Sequence, residues 1–135
     1  MDSDQLYQKL FDFFPRHPDL MIHLNAGARW QYQVFEGPLD DENIKLEYSL
    51  VKENDGKIQM KRGKSPEKPD LILYFTEMAI LRLIDGDPGA HEYFTRYHGI
   101  MDAPAAEIDL DNKVNKSKIQ LFKLGYKKWQ AEFKF

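Results

Sequence analysis

A chain of 135 residues, 42% hydrophobic and 30% charged, has the length and balance of one globular domain over residues 1–135, able to bury about 68–70% of its unfolded surface. The absence of cysteine excludes a thiolate nucleophile, a cysteine-held metal or cluster and a disulfide scaffold. Nineteen basic against 22 acidic residues, net −3, exclude a general polyanion binder, so no nucleic-acid partner is expected. The start, Met1-Asp2-Ser3-Asp4, is acidic where a secretory leader is basic, and no apolar run approaches the roughly 20 residues of a membrane span. A cytoplasmic protein is expected.

Leu6, Tyr7, Leu10, Phe11 and Phe14 predict an amphipathic helix over residues 3–14, capped by Ser3 and stopped by Pro15. A short second helix is expected within residues 16–27, closed by Gly27. The period then changes to two. Trp30, Tyr32 and Val34 alternate with polar residues, as do Ile44, Leu46, Tyr48 and Leu50 after a Gly37-Pro38 turn, and Ile58 and Met60 after Asn54-Asp55-Gly56. Three antiparallel strands follow from this pattern. Residues 71–75, Leu-Ile-Leu-Tyr-Phe, form a continuous apolar run that predicts a strand covered on both faces.

Thr76 is placed to cap a helix with two apolar rows, one of Met78, Leu81 and Ile84 and one of Ile80 and Leu83, ended by Gly86. Pro88 restarts a helix bearing Ala90, Tyr93, Phe94 and Tyr97, which Gly99 should stop. Residues 106–111 alternate as a fifth strand. From Ser117 the spacing of Ile119, Phe122, Tyr126, Trp129 and Phe133 predicts one last helix running through Gly125. The order gives an α+β fold, a sheet with helices on one face.

Catalytic and metal chemistry find little support. Gly86-Asp87-Pro88-Gly89 lies between two helices rather than after a strand, as a nucleotide loop would require. His91 and His98 are seven residues apart, roughly 10 Å along a helix, too far to share a metal. The carboxylates Asp40, Asp41 and Glu42, and Glu107, Asp109 and Asp111, fall on a turn and on an outward strand face, where solvation accounts for them. No catalytic residue, metal or cofactor is expected.

Two features stand out. Apolar and aromatic side chains are in surplus on the helices, which fits either an aromatic-rich core or the walls of a cavity. Residues 113–135 hold seven lysines, Lys113, Lys116, Lys118, Lys123, Lys127, Lys128 and Lys134, against one acid, Glu132. They fit a solvated helix face or an element that meets an anionic membrane transiently, with Trp129 and Phe133 inserting; docking of Ile119, Phe122, Tyr126 and Trp129 on the sheet is the favoured expectation.

Residues 69–94, from Pro69-Asp70-Leu71 through Thr76-Glu77-Met78 and Asp85-Gly86-Asp87-Pro88-Gly89 to Tyr93-Phe94, resemble the sterol carrier protein 2 family in pattern. Together with the meander, the Asp55-Gly56 turn and the final helix, the similarity covers about residues 20–129. It implies a five-stranded, mainly antiparallel sheet with helices on one face and a hydrophobic tunnel for sterols, fatty acyl chains or acyl-CoA. Residues 100–105 lengthen the connection to strand five, and Asp111-Asn112 stands where the family usually has a glycine.

The expected function is therefore non-catalytic carriage of a long apolar ligand. The expected lining is Phe75, Met78, Leu81, Leu83, Tyr93, Phe94, Tyr97, Ile119 and Phe122. The alternative is a small enzyme or accessory domain using the same cavity, with His91, His98 or Tyr97 supplying a proton.

Overall fold

The alternating segments become strands of one sheet. In a computed structural model, which describes residues 1–39, 42, 44–111 and 118–135, β1 (Arg29–Phe35), β2 (Ile44–Lys52), β3 (Ile58–Arg62), β4 (Leu71–Thr76) and β5 (Ile108–Asp111) lie in the order β3-β2-β1-β4-β5. The pairs β1–β2, β2–β3 and β4–β5 are antiparallel, whereas β1 and β4 run parallel. The sheet is thus mixed, mainly antiparallel, with its parallel pair between the meander and the edge strand. Asp40, Asp41, Asn112, Lys113, Lys116 and Ser117 lie outside the described residues.

Alternation decides which side is core. Trp30, Tyr32 and Val34 on β1, Leu46, Tyr48 and Leu50 on β2, and Leu71, Leu73 and Phe75 on β4 are all buried in one cluster with the helices. On the opposite face, the loop after β3 lies over β1. The Gln31 amide donates to the Gly63 carbonyl (3.2 Å) and accepts from the Ser65 N–H (2.7 Å).

Helix α1 (Ser3–Phe11) begins one residue earlier in its cap than the sequence suggests. Asp2 is the N-cap: its carboxylate accepts from Gln5 N–H (2.8 Å), and Gln5 Oε1 accepts from Asp2 N–H (3.0 Å). This reciprocal box satisfies two helix-start donors that Ser3 alone would not. The second helix expected within residues 16–27 is instead a pair of 3-10 turns, Phe14–Arg16 and Pro18–Met21. Two prolines within four residues withhold the N–H groups and restrict the preceding residues, so an α-helix cannot propagate there.

Helix α2 (Glu77–Ile84) starts as expected, with Thr76 Oγ1 accepting from Ala79 N–H (3.1 Å). Helix α3 (Ala90–Met101) departs from expectation at both ends. It starts after Gly89 rather than on Pro88, and the carboxylate of Asp19, 71 positions away, accepts from Ala90 N–H (2.8 Å). It runs through Gly99, since Ile100 beyond it is buried in the core and holds the last turn.

The single last helix is broken. Helices α4 (Lys118–Lys123) and α5 (Tyr126–Phe133) meet at Gly125, whose φ of +95° only glycine adopts easily. A Cβ there would collide with the His23 carbonyl. Asn25 fixes the corner by donating from its backbone to the Leu124 carbonyl (2.8 Å) and from its side chain to that of Lys123 (2.7 Å).

Candidate functional site

The core face of the sheet is paved with rings. Tyr48, Tyr32 and Phe75 stand side by side on β2, β1 and β4, with centroids 4.6 and 5.6 Å apart and planes within 12° of parallel. From above, Phe14 packs on Tyr32 and Tyr48, Tyr97 of α3 meets Phe75 edge-on at 6.0 Å, and Phe94 meets Trp129 of α5 edge-on at 5.3 Å. Helical spacing brings Tyr93, Phe94 and Tyr97 to one side of α3, and burial of these rings fixes the helix on the sheet.

Between the rings and α5 a small space is left. It is a small cavity of about 10 Å³, room for about one water, walled by Trp30, Tyr32, Leu71, Leu73, Tyr93, Phe94, Tyr97, Leu110, Trp129 and Phe135. Outside it runs an open groove of about 350 Å³ along α4, α5 and the ends of β4 and β5. Leu71, Leu110, Trp129 and Phe135 belong to both walls. The Phe135 ring is stacked on Trp129 at 5.0 Å and stands between cavity and groove. On the groove side the lining adds Lys118, Leu121, Phe122, Tyr126, Lys127 and Gln130.

The polar groups around this space are few. Tyr32 and Tyr93 hydrogen-bond each other, and the Tyr97 hydroxyl has no hydrogen-bond partner among the described residues. Burial raises the pKa of all three phenols, with Asp109 adding to the effect at Tyr97, so they stay neutral. At the rim, Trp30 Nε1–H donates to the Tyr126 hydroxyl (2.9 Å), which donates to the Asp70 carboxylate (2.5 Å). Asp70 also accepts from Arg29 N–H (2.9 Å), tying the start of β4 to β1 and α5. Burial and the Asp70 charge hold Tyr126 protonated.

Of the residues expected to line a ligand site, Tyr93, Phe94 and Tyr97 wall the cavity and Phe122 the groove. Phe75 lies beside the cavity under Tyr97, and Leu83 is buried on the inner face of α2, away from the cavity wall. Leu81 lines a separate surface depression with Arg82 and Arg96. Met78 is 68% exposed and Ile119 68% exposed, so neither faces the interior. Trp30, Tyr32, Leu71, Leu73 and Trp129 also wall the cavity, each on a visible inward alternation or helical stripe, as does Phe135, which belongs to no pattern in the sequence.

Trp129 and Phe133 are buried, and Trp129 Nε1–H donates to the Leu20 carbonyl (2.8 Å). Of the four residues expected to dock on the sheet, Tyr126 and Trp129 do so, whereas Ile119 and Phe122 are exposed. The histidines go elsewhere. His17 sits on Asp87 (2.8 Å), His23 and His91 sit on the two oxygens of Glu132 (3.2 and 3.3 Å), and His98 Nε2–H donates to the Phe133 carbonyl (2.7 Å). None of the four walls the cavity. Among the described residues no helix is long and apolar enough to cross a membrane.

Among solved structures the chain is similar to sterol-carrier folds. A ubiquinone synthesis protein, UbiJ-SCP2, matches at 12% identity over 97% of this chain and 94% of that one, with a TM-score of 0.48. The sterol carrier protein domain 2 of Helicoverpa armigera matches at 16% identity over 85% of this chain and 73% of that one, with a TM-score of 0.39. The alkylsulfatase Pisa1 from Pseudomonas sp. matches at 16% identity, TM-score 0.39, over 86% of this chain and 13% of its own. No family model and no curated protein matches the chain.

Proposed function

We propose that this protein binds and carries a long apolar ligand, a sterol, a fatty acyl chain or an acyl-CoA, without transforming it. The observation that carries this is that a mostly apolar cavity and an open groove share the walls Leu71, Leu110, Trp129 and Phe135. Displacing the Phe135 ring joins the two spaces into a pocket of the size that suits a lipid tail. Each buried methylene contributes about 0.8 kcal/mol, so ten supply about 8 before the costs of ordering, and a micromolar ligand needs no obligatory charged contact. Against an enzymatic use, the titratable groups that wall the inner cavity among the described residues are phenols held neutral by burial, which are poor bases near neutral pH.

The test is native mass spectrometry of the protein purified from cells, followed by titration with a fluorescent fatty acid. Saturable uptake is expected, faster in Phe135→Ala. No co-purifying lipid together with no uptake by either form sinks the proposal, and turnover of an apolar ester or alcohol, abolished by Tyr97→Phe, supports the enzyme instead.

A further inference from the structure

We propose that α4 is a docking surface for an anionic phospholipid bilayer, with Ile119 and Phe122 entering the interface and Lys118, Lys123 and Lys127 meeting the headgroups. The surface differs from the one the sequence suggests, because Trp129 and Phe133 are occupied in the core. No residue of α4 is buried. At 100° per residue, Lys118, Phe122, Ile119 and Lys123 follow one another around an arc of about 140°, while Leu121, the residue packed against the core, lies on the other side. Phe122 is 62% exposed and Ile119, as noted, slightly more so. A pair of large apolar side chains flanked by lysines on the outer face of a short helix is the composition of an interfacial element.

Charge complementarity selects the partner. Residues 118–135 hold five lysines and one acid, a net of +4 in a chain whose net is −3. That acid, Glu132, is engaged by His23 and His91. Lys127 Nζ lies 5.9 Å from the centre of the Phe122 ring, and Lys118, Phe122 and Lys127 line the same groove, so the cations and the apolar pair form one patch. An anionic bilayer satisfies both halves of that patch, since the headgroups take the lysines and the acyl boundary takes the rings. The patch shares Lys118, Phe122 and Lys127 with the groove, so docking would bring the groove next to the bilayer. The docking stands whether or not the groove holds a ligand.

Co-sedimentation with phosphatidylcholine vesicles, with and without about 30% phosphatidylserine, tests this. Binding to the anionic vesicles at low salt is expected, with loss at high salt as screening shortens to less than about 8 Å, and little binding to neutral vesicles. Joint replacement Ile119→Ser and Phe122→Ser should lower vesicle affinity at least about tenfold with an unchanged thermal midpoint. Each of Lys118→Gln, Lys123→Gln and Lys127→Gln should lower it about fivefold. Emission of Phe122→Trp should shift to the blue on anionic vesicles. The proposal fails if the parent does not bind anionic vesicles at low salt, or if the double replacement binds as well as the parent. It fails equally if the emission does not shift, and an acidic polypeptide bound as tightly as the vesicles and indifferent to Ile119 and Phe122 would assign the lysines to a protein partner.

Discussion

Helices α4 and α5 read alike in sequence and behave differently in space. Both carry aromatic residues and lysines at helical spacing, and one 3, 4, 3, 4 stripe runs through both. Yet α5 buries Tyr126, Trp129 and Phe133, whereas α4 buries nothing. The difference lies in the corner. Gly125 in the left-handed region turns the chain, and the Asn25 bonds to Lys123 and Leu124 hold the turn, so the stripe is aimed at the core on one side only. A periodic stripe therefore tells which residues share a face, but the corner tells what that face meets.

The contrast is sharpest at Trp129. Its replacement by Ala should cost about 3–5 kcal/mol in urea unfolding, while Phe122→Ala should stay within about 0.5 kcal/mol; comparable losses at both would erase the distinction. Gly125→Ala comes next, at about 3 kcal/mol, because it combines a strained φ with a collision against backbone that cannot step aside. Tyr126→Phe should cost about 2 kcal/mol by removing a hydrogen bond from each of two buried partners, Trp30 and Asp70. A neutral result in the same unfolding experiment would show that the α5 anchor is purely apolar.

The smallest expected effect lies away from both helices. The hydrogen bond from His17, aided by Arg16, holds the Asp87 carboxyl below its ordinary pKa. A group depressed on folding stabilises above its unfolded pKa and loses that contribution as pH falls through the folded value. Stability should therefore decline below about pH 4 by an amount that Asp87→Asn abolishes, Asn being chosen because it tolerates the φ of +57°. An acid limb unchanged by the substitution would place the titration elsewhere.

The strands were legible because period-two alternation in Trp30-Tyr32-Val34 and Leu46-Tyr48-Leu50 depends on neighbours alone. The parallel pairing of β1 with β4 was not, since pairing partners leave no local mark. Tyr93, Phe94 and Tyr97 were legible as a stripe, but the α2 row of Met78, Leu81 and Ile84 misled at its start: Met78 reads as core and faces solvent. Pattern records chemistry at a position and is silent about how many layers of protein lie above it. Phe135 shows the opposite case, a residue that belongs to no pattern in the sequence and yet lines both the cavity and the groove.

The cap that Asp19 places on α3 has its own consequence. Trp129 likewise finds its acceptor at Leu20, so residues 19 and 20 serve helices made 71 and 109 positions later. During synthesis the early segment must leave the ribosome with its carboxylate and carbonyl still open, and α3 cannot receive its start signal until Ala90 has emerged. The 3-10 turn of Pro18–Met21 thus fastens both α3 and α5 to the start of the chain, and a fragment lacking the first 27 residues would contain the sequence of every strand yet neither fastening.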